Sequence, residues 1–221
     1  MRRSPAHVAV VVPFLLVLLA AMALPTALTA QAASGAGAPQ AAAAPADAQA
    51  KMKAEMDAYM KLAQPGEHHK LLGHLAGKWQ VAGRTWMDPS QPPVEMTFTV
   101  EASWILGGRY LQQVHTSTFM GQPFEGRSLD GYDNVTHEYF STWVDNMGTG
   151  VMVFRGKCDD PCTALTETAE GPDPMTGKVM KSTTVTTFVD PDTYRFEMYE
   201  ARAGKDGQGT KVMEVTAKRQ K

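Results

Sequence analysis

From Gly77 to Arg219 apolar and polar residues alternate with a period of two. Trp79, Val81, Gly83 and Thr85 share one face of the first predicted strand. Val94, Met96, Phe98, Val100, Ala102 and Trp104 form an unbroken apolar face on the second, with Glu95, Thr97, Thr99, Glu101 and Ser103 opposite. Such alternation marks a half-buried strand. Gly107-Gly108 turns the chain. Further strands are predicted at 109–120, 124–130, 139–145, 150–157, 164–170, 179–189, 193–201 and 211–219. Gly, Pro, Asp and Asn fill the gaps, as in Asp133-Asn134-Val135-Thr136 and Asp190-Pro191-Asp192. About ten strands, short turns and no interposed helix predict an all-β, antiparallel domain over 77–221. Closing the meander into an up-and-down barrel removes its two exposed edges.

Upstream the pattern changes twice. Arg2 and Arg3, an apolar run over 8–24 and Ala30-Gln31-Ala32 read as a cleavable signal peptide over 1–32. Pro13 and Pro25 oppose a retained membrane helix, and no second apolar run is long enough to span a bilayer. The expected location is periplasmic or secreted, with no membrane span after cleavage. Residues 33–46 are an Ala/Gly/Pro-rich stretch with nothing large to bury, hence a disordered linker. Residues 47–76 predict a helix and a short helical turn. Asp47 caps the helix, and Pro65-Gly66 stops it. Met52, Met56, Tyr59, Met60 and Ala63 make one apolar stripe, which predicts docking on a hydrophobic surface.

Composition narrows the partners. The full chain holds 21 basic and 23 acidic residues, and removing Arg2 and Arg3 leaves 19 basic residues and a net charge of -4. That balance gives no reason to expect nucleic acid. His68, His69 and His74 cluster, but adjacent histidines on a helix do not face each other and no Cys or carboxylate cluster completes a shell. They are read as part of a helical turn closing the domain, not a metal site. Cys158 and Cys162 enclose three residues between two strands. In an oxidising compartment they are expected to form a disulfide, contributing about 2 kcal/mol at most.

The candidate ligand-binding residues are Arg109, Gln113, Glu125, Arg127, Tyr132, Trp143 and Asp145, with His115 and Asp130 beside them. Arg109, Leu111, Gln113, His115, Ser117 and Phe119 share a strand face. If that face looks inward, Arg109 and Gln113 meet an anionic head group in an apolar cavity. The opposite face, Tyr110, Gln112, Val114, Thr116, Thr118 and Met120, is nearly as plausible inside, because neither face is clearly apolar, so the pattern leaves the phase open. Ion pairing across the strands is the competing use of these charges. No Gly-x-Ser-x-Gly elbow, phosphate loop or dinucleotide fingerprint occurs. Ser128 or Ser141 with His115 and Asp145 has no diagnostic spacing, and the separation of Glu125 from Asp145 is not readable. No catalytic residue and no cofactor is assigned.

Gly77-Lys78-Trp79 at the head of a ten-strand meander resembles the opening of calycins: lipocalins, fatty-acid-binding proteins and nitrobindin-like barrels. The resemblance implies a basic residue from the last strand over the indole, and Arg219 is in phase for it. Leu75-Ala76-Gly77-Lys78-Trp79, Leu106-Gly107-Gly108-Arg109-Tyr110, Gly131-Tyr132-Asp133-Asn134 and the run from Ser141 to Gly150 are similar to the bacterial domain of unknown function 1579 family. That likeness covers roughly 67–219 and implies a fold but no activity. The leading expectation is a barrel that binds a small hydrophobic or amphipathic molecule. The alternatives are a haem or metal barrel by analogy with nitrobindin, with His115 or the turn residue His137 as ligand, and a non-catalytic structural or partner-binding module.

Overall fold

The computed structural model describes residues 45–221 apart from 89, 159, 174–175 and 203–208. The expected signal peptide and nearly all of the linker lie outside the described residues.

Ten strands follow one another: β1 (Gly77–Thr85), β2 (Val94–Ile105), β3 (Tyr110–Phe119), β4 (Gln122–Asp133), β5 (Glu138–Asp145), β6 (Met152–Lys157), β7 (Ala164–Pro172), β8 (Val179–Asp190), β9 (Thr193–Arg202) and β10 (Thr210–Arg219). Each pairs antiparallel with its neighbour in sequence, and β1 pairs with β10 to close the barrel. Closure leaves no strand edge open to another chain.

The register carries the inward face around the wall. Trp79 lies opposite Val100, Val100 opposite His115, His115 opposite Gly126 and Gly126 opposite Asp145. Residues directly opposite in an antiparallel pair point to the same side. Leu111, Gln113, His115 and Ser117 therefore look inward, which settles the phase of β3. Of the strand limits that shift from expectation, two bear on the site. β4 runs on to Asp133, because Gly131, Tyr132 and Asp133 still pair with Phe140, Tyr139 and Glu138. The turn beyond it is set by Asp133, whose Oδ1 accepts from the Val135 amide at 2.7 Å. β3 begins only at Tyr110, so Arg109 belongs to the preceding turn and not to the inward face.

Among the described residues three helical segments precede the barrel: α1 (Ala46–Leu62), α2 (Glu67–Leu72) and a 3-10 turn (Gly73–Leu75). The last two plug one end. Leu72 and Leu75 are buried, and the Trp79 indole donates to the Leu75 carbonyl at 2.8 Å. The Arg219 guanidinium carbon sits 4.1 Å from the centre of that indole. Its nitrogens also donate to the carbonyls of Ala76 (2.5 Å), His74 (3.0 Å) and Pro191 (2.9 Å). One side chain thus ties the first strand, the plug and the β8–β9 turn together. The histidines work in the same plug. His68 stacks on Tyr132 at 4.2 Å, and His69 Nδ1 accepts from the Gly66 amide at 3.1 Å. Among the described residues no three His, Cys, Asp or Glu side chains gather as a metal site. Cys158 and Cys162 lie at disulfide distance at this end, their Cα atoms 5.3 Å apart.

α1 departs from expectation. The helix forms, but none of its residues is buried. Met52, Tyr59 and Met60 are at least half exposed. Its C-terminal end is held by the Asn134 amide, which donates to the carbonyls of Leu62 (2.7 Å) and Gln64 (2.9 Å). The physical reason is that α2 and the 3-10 turn already seal the barrel end. Surface pairs such as Lys53–Asp57, at 2.6 Å, add i,i+4 support to the free helix.

Candidate functional site

The barrel interior falls into two unequal halves. Next to the plug the inward side chains are dry: Trp79, Val81, Val100, Leu111 and Ala217 are at most 1 % exposed. Toward the other end the inward side chains are only half-buried, among them Phe98, Trp143, Met152, Phe196 and Met198. The turns at that end carry exposed Met87, Met120, Met147 and Val151. This is an apolar mouth.

Between the two lies a polar waist. Asp130 is 6 % exposed, and its Oδ2 accepts from Gln113 Nε2 at 2.6 Å and from Ser128 Oγ at 3.1 Å. Glu167 is buried on β7, facing Thr184 of β8 in the register. Its Oε2 accepts from Ser141 Oγ of β5 at 3.3 Å, reaching across β6. β6 presents Gly156 directly opposite Glu167. A Cβ there would lie 1.9 Å from the Thr166 carbonyl oxygen, so only glycine fits. Glu167 Oε1, Ser182 Oγ and His115 Nε2 are buried without a hydrogen-bond partner. Such orphaned atoms each cost on the order of 1–3 kcal/mol.

Burial sets the electrostatics. Desolvation, opposed by the Gln113 and Ser128 hydrogen bonds, pushes the Asp130 carboxyl up to about 6. Desolvation and the Asp130 charge push Glu167 up to about 7. Desolvation holds His115 down at about 4, so its imidazole is neutral at physiological pH. The His115 ring packs edge-on against Trp143 at 5.0 Å, with Phe98 at 5.9 Å.

The sequence-chosen residues scatter over this frame. Gln113 is buried in the waist and Trp143 lines the mouth. A Cβ on Gly126 would lie 2.4 Å from the Trp143 ring, so the indole fills the room that glycine leaves. Asp145 sits at the mouth, accepting from Trp143 Nε1 at 2.8 Å and from the Met147 amide at 2.9 Å. Tyr132 belongs to the plug. Arg109 donates to the Leu106 carbonyl at 3.1 Å in its turn, away from the waist. Glu125 and Arg127 alternate outward and pair with each other at 2.7 Å. With Val144, Asp145 and Asn146 they line a shallow groove on the outer wall. That correction follows from register, since Gly126 and Ser128 take the inward positions.

Glu167 and Ser182 were not anticipated. The signal was present: Glu167 is in phase with Leu165 and Ala169, and Ser182 with Thr184 and Thr186. A carboxylate in phase with apolar neighbours marks a buried charge, given the correct strand phase.

Fold and interior together define a closed ten-stranded antiparallel barrel, plugged at one end, with an acidic cluster at its waist. Residues 64–219 match the model of a family described as a protein of unknown function, DUF1579. The match spans well over half of the chain, and the protein belongs to that family. Among solved structures it is similar to the crystal structure of Rv2717c from M. tuberculosis, with a TM-score of 0.52 and 14 % identity. That similarity covers 72 % of this chain and 100 % of the other. At this identity the likeness is one of fold. No curated protein matches the sequence.

Proposed function

We propose that this protein is an exported barrel that binds a small amphipathic molecule through its unplugged end. The observation that carries the reading is the asymmetry of the interior. One half is sealed, while the other presents half-buried aromatic and methionine side chains above a polar floor. Pockets for small molecules are mostly apolar with a few converging polar groups. The calycin resemblance points the same way, and Arg2-Arg3 ahead of an apolar run, with the Ala30-Gln31-Ala32 site, supports export. The polar contact is moved from Arg109 to the waist.

Native mass spectrometry of protein recovered from the exporting cell tests the reading. The expected result is a mature chain lacking about 32 residues with a small molecule bound. Replacing Phe98 with arginine should release that molecule. A ligand-free wild-type chain, or cargo unaffected by F98R, counts against the mouth. Haem ligation has one observation in its favour, the unpartnered Nε2 of His115. Against it, the ring already packs on Trp143 and Phe98, and His137 lies in an exposed turn. A Soret band lost in H115A would select it.

A further inference from the structure

We propose that the ligand's head group is an organic cation, a protonated amine on an apolar body, and not a carboxylate or phosphate. The inference rests on the binding reading above and names its ligand class. Three features of the interior carry it.

The first is the sign of the wall. Two carboxyls, Asp130 and Glu167, face inward at the waist. Among the described side chains of the strands, every Lys and Arg except Arg219 alternates to the outer face. Arg219 is engaged by Trp79 and three backbone carbonyls at the plug. An anionic head group at the waist would bring a further negative charge beside two carboxyls, with no cation among the described side chains of the waist to meet it. Burying an unpaired charge is the costliest outcome available to it.

The second is the unfilled bonding capacity. Glu167 Oε1 and Ser182 Oγ have no partner, and both residues are more than nine-tenths buried. They sit diagonally on adjacent strands, since Glu167 lies opposite Thr184 and Ser182 opposite Ala169. Diagonal neighbours on one face are within reach of a common group. A carboxylate oxygen accepts only, and a hydroxyl accepts readily, so the fitting complement is a donor. His115 Nε2 adds a further unpartnered ring nitrogen from β3. An ammonium carries three N–H donors and no acceptor.

The third is the mouth itself. Trp143, Phe98 and Phe196 supply aromatic faces along the way in, which attract a cation and repel an anion. The raised carboxyls of the waist are consistent with this, because an arriving positive charge favours their ionised form.

The test is a calorimetric titration of the purified protein with decylamine, decanol and sodium decanoate at pH 7.5, each below its micelle-forming concentration. The three share a ten-carbon body and differ in the head. The expected result is at least tenfold tighter binding of decylamine than of either other compound. In E167Q that preference should fall to threefold or less, with folding checked by circular dichroism. Should E167Q not fold, S182A replaces it and should weaken decylamine without affecting decanol. Equal binding of all three, or tighter binding of decanoate, overturns the cationic head group while leaving an amphiphile-binding barrel. An amine preference unchanged in E167Q and S182A overturns the assignment to the waist. Failure of all three to bind removes both the head group and the binding reading beneath it.

Discussion

The plugged and unplugged halves of this barrel are built from the same strands, yet they solve opposite problems. At the plug, side chains from the first and last strands and the 3-10 turn pack to low exposure around Trp79, and Leu72 of α2 packs beside them on Tyr132, Tyr139 and Leu165. At the mouth, side chains of the same apolar kind stay half-exposed on strands of the same length. Apolar surface left in water forgoes about 25 cal/mol per Å² of burial. The difference teaches that stability in this fold is concentrated at one end. The other end is free to carry features that cost stability, chiefly the buried carboxyls and orphaned polar atoms of the waist.

The sharpest way to break that comparison is to truncate matched aromatics on either side of the waist. Trp79→Ala removes a fully buried indole, its hydrogen bond to Leu75 and the seat of Arg219. It should destabilise by about 3–5 kcal/mol. Phe98→Ala, at the mouth, should cost roughly half of that or less, because its ring is only partly withdrawn from water. Urea denaturation of both variants is the check. Equal losses would mean that the mouth is as well packed as the plug.

The waist makes the next largest prediction, and it depends on pH. Glu167 titrates near 7 in the fold against an ordinary value of 4.5. Between those values the native state keeps a proton that the unfolded chain has released. Raising pH through that window therefore lowers stability. At about 1.4 kcal/mol per pKa unit, the ionised carboxyl costs on the order of 3 kcal/mol above pH 7. Glu167→Gln should thus raise stability at pH 8 by up to about that amount and leave it nearly unchanged at pH 4. His115 titrates down at about 4, so it acts in the opposite sense, adding stability as pH rises from about 4 to its ordinary 6.5. It is present in both proteins and cancels in the difference. A variant no more stable than wild type at pH 8 would show that Glu167 is already paired or solvated.

How much of this was legible in the sequence follows from period and phase. The ten strands and their turns are read from alternation and turn residues, which is why β2, with its unbroken apolar face, is placed almost to the residue. The Trp79–Arg219 pair came from the calycin resemblance, with alternation supplying only the phase of Arg219. Phase is weaker where both faces mix types. On β3 and β4 the charged residues drew attention to Arg109, Glu125 and Arg127, which the register puts in a turn and on the outer wall. Asp130 was noted as a candidate, but Glu167 escaped because it looks like a surface residue until Gly156 opposite it is understood. The stripe of α1 misled for another reason. A helical period reports which residues would share a face, not whether a surface exists to receive it.

Reducing the Cys158–Cys162 pair tests a smaller contribution at the plugged end. The ring it closes is short, so opening it should cost about 2 kcal/mol or less by loop entropy. The check is a pair of melting curves with and without reductant, with intact mass after alkylation to confirm the state of both thiols. Alkylation of both thiols before reduction would remove the cross-link from the account.

The smallest effect is expected at α1, and it bears on the comparison because this helix lies outside both halves. Among the described residues its apolar stripe makes no buried contact. Met52→Gln and Tyr59→Ser should therefore change stability by no more than about 0.5 kcal/mol, the usual range for surface positions. Asn134→Ala should matter more than either, since it removes the amide that holds the last turn through two carbonyls. Loss of a buried or well-made hydrogen bond costs about 1 kcal/mol, and this exposed pair should give less. Denaturant midpoints for the three variants rank the effects directly. If the stripe variants were the more damaging, the stripe would be covered in solution and α1 would belong to the plugged end after all. If all three are silent, α1 is an appendage joined to the barrel only through the chain.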